Sequence, residues 1–71
     1  MKTTFTGHAL KRMYERNISP EEVKLYLGRG MKWFAKTEGE SGRWHSKMGN
    51  VEVVFESTEK ETTVITVYWV E

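Results

Sequence analysis

The spacing of apolar residues changes once along this chain, near Gly28-Arg29-Gly30. Before that point they recur at helical intervals; after it they alternate, so the pattern predicts two helices followed by four strands, ααββββ. The first helix spans about Thr6 to Arg16 and gathers Ala9, Leu10, Met13 and Tyr14 on an apolar arc flanked by His8, Arg12 and Arg16. The second spans about Pro20 to Leu27. Ser19 is its N-cap, Pro20 fits the first helical position and Glu22 completes a capping box. It buries Val23, Tyr26 and Leu27 and stops at Gly28. Met31 to Thr37 then reads as a strand, Glu38-Gly39-Glu40-Ser41-Gly42 as a loop, Arg43 to Met48 as a second strand, and Thr62 to Val70 as the last. The expected architecture is α+β, two N-terminal helices packed on one face of a four-stranded antiparallel β-sheet.

One hairpin can be placed in register. With Gly49-Asn50 as a two-residue turn, Met48 faces Val51, Lys47 faces Glu52, His45 faces Val54, Trp44 faces Phe55 and Arg43 faces Glu56. Two opposite-charge pairs and an aromatic pair fall opposite each other without adjustment. Trp44, Met48, Val51, Val53 and Phe55 then share a core face with Ser46, and Arg43, His45, Lys47, Glu52, Val54 and Glu56 share the other. In the last strand Ile65, Val67 and Trp69 are the more apolar set and are assigned to the core. Thr66 therefore points to the same open face as His45, level with it across the intervening strand.

Candidate chemistry enters first on the leading helix. His8, Arg12 and Arg16 are four residues apart and so lie one above another. That stripe sets an imidazole, able to exchange a proton near neutral pH, beside two guanidiniums shaped for phosphate oxygens. The plain alternative is a solvated helix face, with His8 helping to cap the helix and the arginines pairing with Glu15 or Glu22. The open sheet face offers a second set, His45, Arg43, Lys47 and Thr66. His45 and Thr66 are also ordinary half-exposed strand residues, and the aromatics, Trp33 among them, serve either as core or as platforms for unpaired bases.

His8-Ala9-x-x-Arg12-x-x-x-Arg16-x-Ile18-Ser19, the Glu-rich second helix, the Leu27-Gly28 stop and the closing Val64-Ile65-Thr66-Val67-Tyr68-Trp69 together resemble the small bacterial domains called domain of unknown function 4258. That family is grouped with the barnase, EndoU, colicin and RelE-type ribonuclease fold of toxin systems. The resemblance implies His8, Arg12, Arg16 and Thr66 as site residues, to which His45 is added as a second proton carrier. It also implies RNA and a cognate antitoxin or immunity protein as partners.

Composition narrows the classes. Seventy-one residues make one small domain, burying only about 60–65% of the surface its unfolded chain exposes. No large enclosed cofactor is expected. The chain has no cysteine, so there is no disulfide framework, and two histidines more than thirty residues apart make a zinc site implausible. No apolar run suffices for a membrane span and no signal-peptide core is present, so a cytoplasmic protein is expected, monomer or weak homodimer. Gly28-Arg29-Gly30 lacks the strand and helix that frame a nucleotide loop. Net charge is only +1, but Met1 to Met48 holds ten Lys or Arg against five acids, and Gly49 to Glu71 one against five. Such polarity builds a basic face unless strand pairing cancels it.

Metal-free RNA cleavage needs a base for the 2′-hydroxyl, an acid for the leaving 5′-oxygen and cationic donors for the charge on phosphorus. The expectation is therefore a small toxin-like, metal-independent endoribonuclease with His8, Arg12, Arg16, His45 and Thr66 as catalytic residues and Arg43, Lys47 and Trp33 holding RNA. Its competitors are a catalytically inert RNA- or protein-binding module and a purely structural accessory domain.

Overall fold

Thr6 and Ser19 start the two helices by the same device, a side-chain oxygen that takes an otherwise orphaned N–H. Thr6 Oγ1 accepts from Ala9 N at 3.0 Å, so the cap is Thr6 and not His8. Ser19 Oγ accepts from Glu22 N at 3.1 Å while Glu22 Oε1 accepts from Ser19 N at 3.2 Å, the expected capping box. In the computed structural model, which describes residues 2–35 and 43–70, α1 runs over Gly7–Arg16 and α2 over Pro20–Arg29. Asn17 ends α1 in the left-handed region at φ 56°, a conformation a short polar side chain tolerates.

Around them lie β1 (Lys2–Phe5), β2 (Met31–Ala35), β3 (Arg43–Met48), β4 (Val51–Ser57) and β5 (Glu61–Trp69). The expected continuation of β2 to Thr37, and the loop from Glu38 to Gly42, fall outside the described residues. The strands form one sheet in the order β1-β5-β4-β3-β2, with β1 parallel to β5 and the other pairs antiparallel. This corrects the expected four-stranded antiparallel sheet. The fifth strand is a short threonine-rich segment whose partner is 59 residues away, so no turn or local alternation announces it.

The β3–β4 register is the expected one, residue for residue from Trp44↔Phe55 to Met48↔Val51. Gly49 takes φ 62° in the turn, which glycine accepts without strain. β5 departs from simple alternation. A register shift between Val54 and Phe55 pairs Val54 with Thr66 and Phe55 with Val64, leaving Ile65 as the extra residue. The bulge reverses side-chain parity, so Val64 is fully buried and the assignment of Ile65 to the core does not hold.

Both helices lie on one face. Ala9, Met13, Ile18 and Val23 form a single cluster with Val51, Val53, Phe55, Val64 and Val67. They do not cover that face completely, which is why Trp44, Met48 and Trp69, expected in the core, stay largely exposed at its rim. Leu10 and Tyr14 are likewise exposed, so the apolar arc of α1 reduces to Ala9 and Met13.

The C-terminus of α2 is fixed to the sheet through Gly30, two residues beyond the expected stop at Gly28. Buried Ser46 donates from Oγ to the Tyr26 carbonyl at 2.6 Å. A Cβ on Gly30 would run into Ser46 Oγ and lie 2.6 Å from that same carbonyl. Glycine is required there by close approach.

Candidate active site

Three rows of side chains cross the face that carries no helix. Strand pairing aligns Met31, Lys47, Glu52 and Tyr68 in one, Trp33, His45, Val54 and Thr66 in the next, and Ala35 and Arg43 in the third, which an ion pair extends to Glu56. His45, Thr66, Trp33, Arg43 and Lys47 are thus brought onto one surface, with Thr66 level with His45 across β4.

The centre of that surface is a polar cluster. His45 Nδ1 lies 2.8 Å from Glu52 Oε2, and the Tyr68 hydroxyl donates to the same oxygen. An ionised carboxylate only accepts, so Nδ1 carries the hydrogen and Nε2 is left as the nitrogen available to take a proton. Trp33 stacks on the imidazole with centroids 5.2 Å apart and planes 14° from parallel. Glu52 is buried at 8% exposure, so its two donors offset the cost of taking a carboxylate out of water. Burial first, then the hydrogen bond to Glu52 and its charge, push the Tyr68 phenol up to about 12. Tyr68 therefore stays protonated, a hydrogen-bond donor to Glu52, throughout the physiological range.

The cationic residues divide. Arg43 Nε meets Glu56 Oε1 at 3.3 Å as an ion pair; the geometry is not that of a hydrogen bond, and the Nε atom is shielded from solvent. Lys47 is exposed and, although Glu52 stands opposite it, the carboxylate turns instead to His45. The charge polarity of the sequence is thus partly cancelled between β3 and β4.

His8, Arg12 and Arg16 are exposed on α1, whose core residues face the other side of the sheet. Arg12 Nη1 is 3.7 Å from Glu15 Oε1, an exposed pair one turn away. Among the described residues no hydrogen bond, ion pair or ring contact joins this stripe to the His45 surface. Two separate surfaces stand where one site was an open possibility.

Glu52 and Tyr68 were not among the residues expected from sequence. The hairpin register did place Glu52 on the open face, where cross-strand diagonals are also in reach of long side chains. Tyr68 was legible through the alternation of β5, which puts it on the same face as Thr66.

The fold and this cluster define an α+β domain that carries a buried carboxylate, an imidazole and a phenol on an otherwise uncovered sheet face. The chain belongs to the family described as Domain of unknown function (DUF4258), whose model matches residues 5–69. No curated protein and no solved structure matches it. No helix among the described residues is long and apolar enough to cross a membrane.

Proposed function

We infer that the open sheet face is the catalytic surface of a metal-independent endoribonuclease, with His45 as its proton carrier. The observation that carries this reading is the 2.8 Å bond from His45 Nδ1 to buried Glu52, which fixes the tautomer and turns Nε2 into a base. A carboxylate behind an imidazole is the arrangement that acid–base enzymes use for this purpose. Nε2 takes the proton of a ribose 2′-hydroxyl as that oxygen bonds to phosphorus. The bond from phosphorus to the 5′-oxygen breaks, and that oxygen takes a proton from water, while Tyr68 holds Glu52 in place behind the imidazole. Lys47 stabilises the charge on the phosphoryl oxygens, Thr66 and Arg43 border the site, and Trp33 holds the imidazole while offering an aromatic edge to a base. Arg12 and Arg16 give phosphate contacts on a second surface. The relation to barnase- and RelE-type ribonucleases expected from the sequence, and the antitoxin it implies, belong to this same proposal.

A binding module without catalysis is the second reading. It is favoured by the same cluster seen as a finished structural network, since one Glu52 oxygen satisfies two donors and Trp33 covers a face of the ring. The deciding experiment incubates single-stranded RNA with the wild type, His45→Gln and His8→Gln in the presence of a metal chelator. Cleavage to 2′,3′-cyclic phosphate ends, lowered ~10²–10⁴-fold by His45→Gln and little changed by His8→Gln, is expected. Loss with His8→Gln alone moves the chemistry to α1. A gel shift without shortening of the RNA establishes the module, and cleavage of DNA or dependence on a divalent metal refutes the mechanism.

A further inference from the structure

The two helices leave one corner of their own face of the sheet uncovered, and that corner is a cavity. Among the described residues it measures about 520 Å³ and lies between the C-terminal half of α2 and one end of β3, β4 and β5, a volume within the range of small-molecule sites. Its lining is mostly apolar. Trp44 and Phe55, neighbours across β3 and β4, make an aromatic floor, and Leu27 of α2 makes a wall. The hydroxyls of Ser57 and Thr62, 3.2 Å apart, edge it. The cavity is on the face opposite His45, so nothing about it depends on the ribonuclease reading.

Two residues of α2 separate this cavity from a gap in packing. Gly28 lies inside the helix without a positive φ, and a Cβ added to it would meet nothing within 4 Å. Neither turn geometry nor crowding requires glycine there, and glycine weakens a helix. The space its missing side chain leaves is the mouth of the cavity. Lys24 stands one turn earlier on the same side of α2 and also lines the cavity. Among the described residues it has no hydrogen-bond or ion-pair partner. The other ammonium at the cavity, that of Lys32, is taken up by the negative end of α2, donating to the carbonyls of Gly30 at 3.2 Å and Gly28 at 3.5 Å.

We infer that the cavity binds a small aromatic monocarboxylate, its ring against Trp44 and Phe55 and its carboxylate at Lys24. An aromatic floor favours an aromatic body, through area and through the edge-to-face and offset contacts rings make with each other. A single unpaired ammonium matches a single negative charge. A phosphate monoester brings close to two charges with one lysine to meet them, and a cationic ligand would be repelled by it.

The test titrates the whole chain, labelled with nitrogen-15, with 2-naphthoate and separately with its uncharged amide, 2-naphthamide, and follows both by NMR. The Trp44 indole N–H and the Gly28 amide should shift together and saturate, while the Trp33 indole on the other face stays still. A Kd of about 1 mM or tighter is expected for 2-naphthoate, the level a ligand of about thirteen non-hydrogen atoms reaches. Lys24→Gln should weaken 2-naphthoate roughly two- to fivefold, as for an exposed ion pair, and leave 2-naphthamide unchanged. Gly28→Leu fills the mouth and should weaken both ligands more than about tenfold with no fall in melting temperature. No saturable shift by about 10 mM 2-naphthoate, equal loss of both ligands in Lys24→Gln, or full binding by Gly28→Leu would each overturn the proposal.

Discussion

His45 and Glu52 are diagonal partners. Val54 stands opposite the imidazole and Lys47 opposite the carboxylate, yet the two polar groups reach across the ladder to meet at 2.8 Å. Glu52 is thereby a positioning residue for His45. Glu52→Gln keeps the size of the side chain but removes the charge that selects the tautomer, and it should lower RNA cleavage roughly 10–100-fold. The loss should appear in kcat with KM nearly unchanged, and Glu52→Asp should restore part of it. A purely structural Glu52 would instead lower thermal stability with activity per folded molecule preserved.

Tyr68 makes stability fall at alkaline pH. Its folded-state pKa, pushed up to about 12, lies above the ordinary value of 10.0. Folding therefore favours the protonated phenol, and the contribution is complete below pH ~10 and lost as pH rises towards ~12. Tyr26, held up by burial and by Glu22, acts in the same direction. Denaturant unfolding between pH 9 and pH 12 should show this decline, and Tyr68→Phe should flatten part of it.

Gly30 tolerates no side chain. With Ser46 and the Tyr26 carbonyl in the way, Gly30→Ala must separate α2 from β3 or break the 2.6 Å bond between those two residues. A loss of about 1–3 kcal/mol in chemical denaturation is expected. Gly28→Ala, with nothing near its added methyl group, should be neutral or slightly stabilising within α2.

Trp44 and Phe55 are cross-strand neighbours of unequal worth. Phe55 is 7% exposed and Trp44 41%, so Phe55→Ala should cost about 3–5 kcal/mol and Trp44→Ala nearer 1–2. Lys47→Ala, on the exposed face, should cost well under ~1 kcal/mol. Thermal melts of the three variants should rank them in that order.

Arg12 and Arg16 should act through RNA affinity and not through the chemical step. Their joint replacement by Gln should weaken binding and flatten the dependence of log Kd on log salt, because fewer counterions are released. An unchanged slope would reduce the stripe to a solvated helix face.

Hairpin grammar carried most of what was legible beforehand. The Gly49-Asn50 turn dictates the pairing of β3 with β4 and so puts His45 opposite Val54, and the capping box at Ser19 marks the start of α2. What escaped depends on distant partners. β1 acquires its identity only from β5, and the bulge at Ile65 forms where two strands adjust to each other. Trp44 and Leu10 stay wet because the helices cover only part of the sheet. The cluster escaped for the same reason: Glu52 has two neighbours within reach, Lys47 opposite and His45 on the diagonal, and only the packed face decides between them.

The last of the described strands is not at the margin of the sheet. β5 sits between β1 and β4 and lies beneath α1, so β1 and α1, at the other end of the described chain, meet the sheet mainly through it. Until residues 61–69 are in place, Ala9 and Met13 have no Val64 or Val67 to pack against and Thr6 has no Ile65 carbonyl to bond. Such long-range closure is slow compared with helix pairing and leaves little that is stable halfway. His45 and Glu52 lie on strands that pair with their neighbours in sequence, whereas Tyr68, itself on β5, joins them only with the strand that closes the sheet onto β1 and α1.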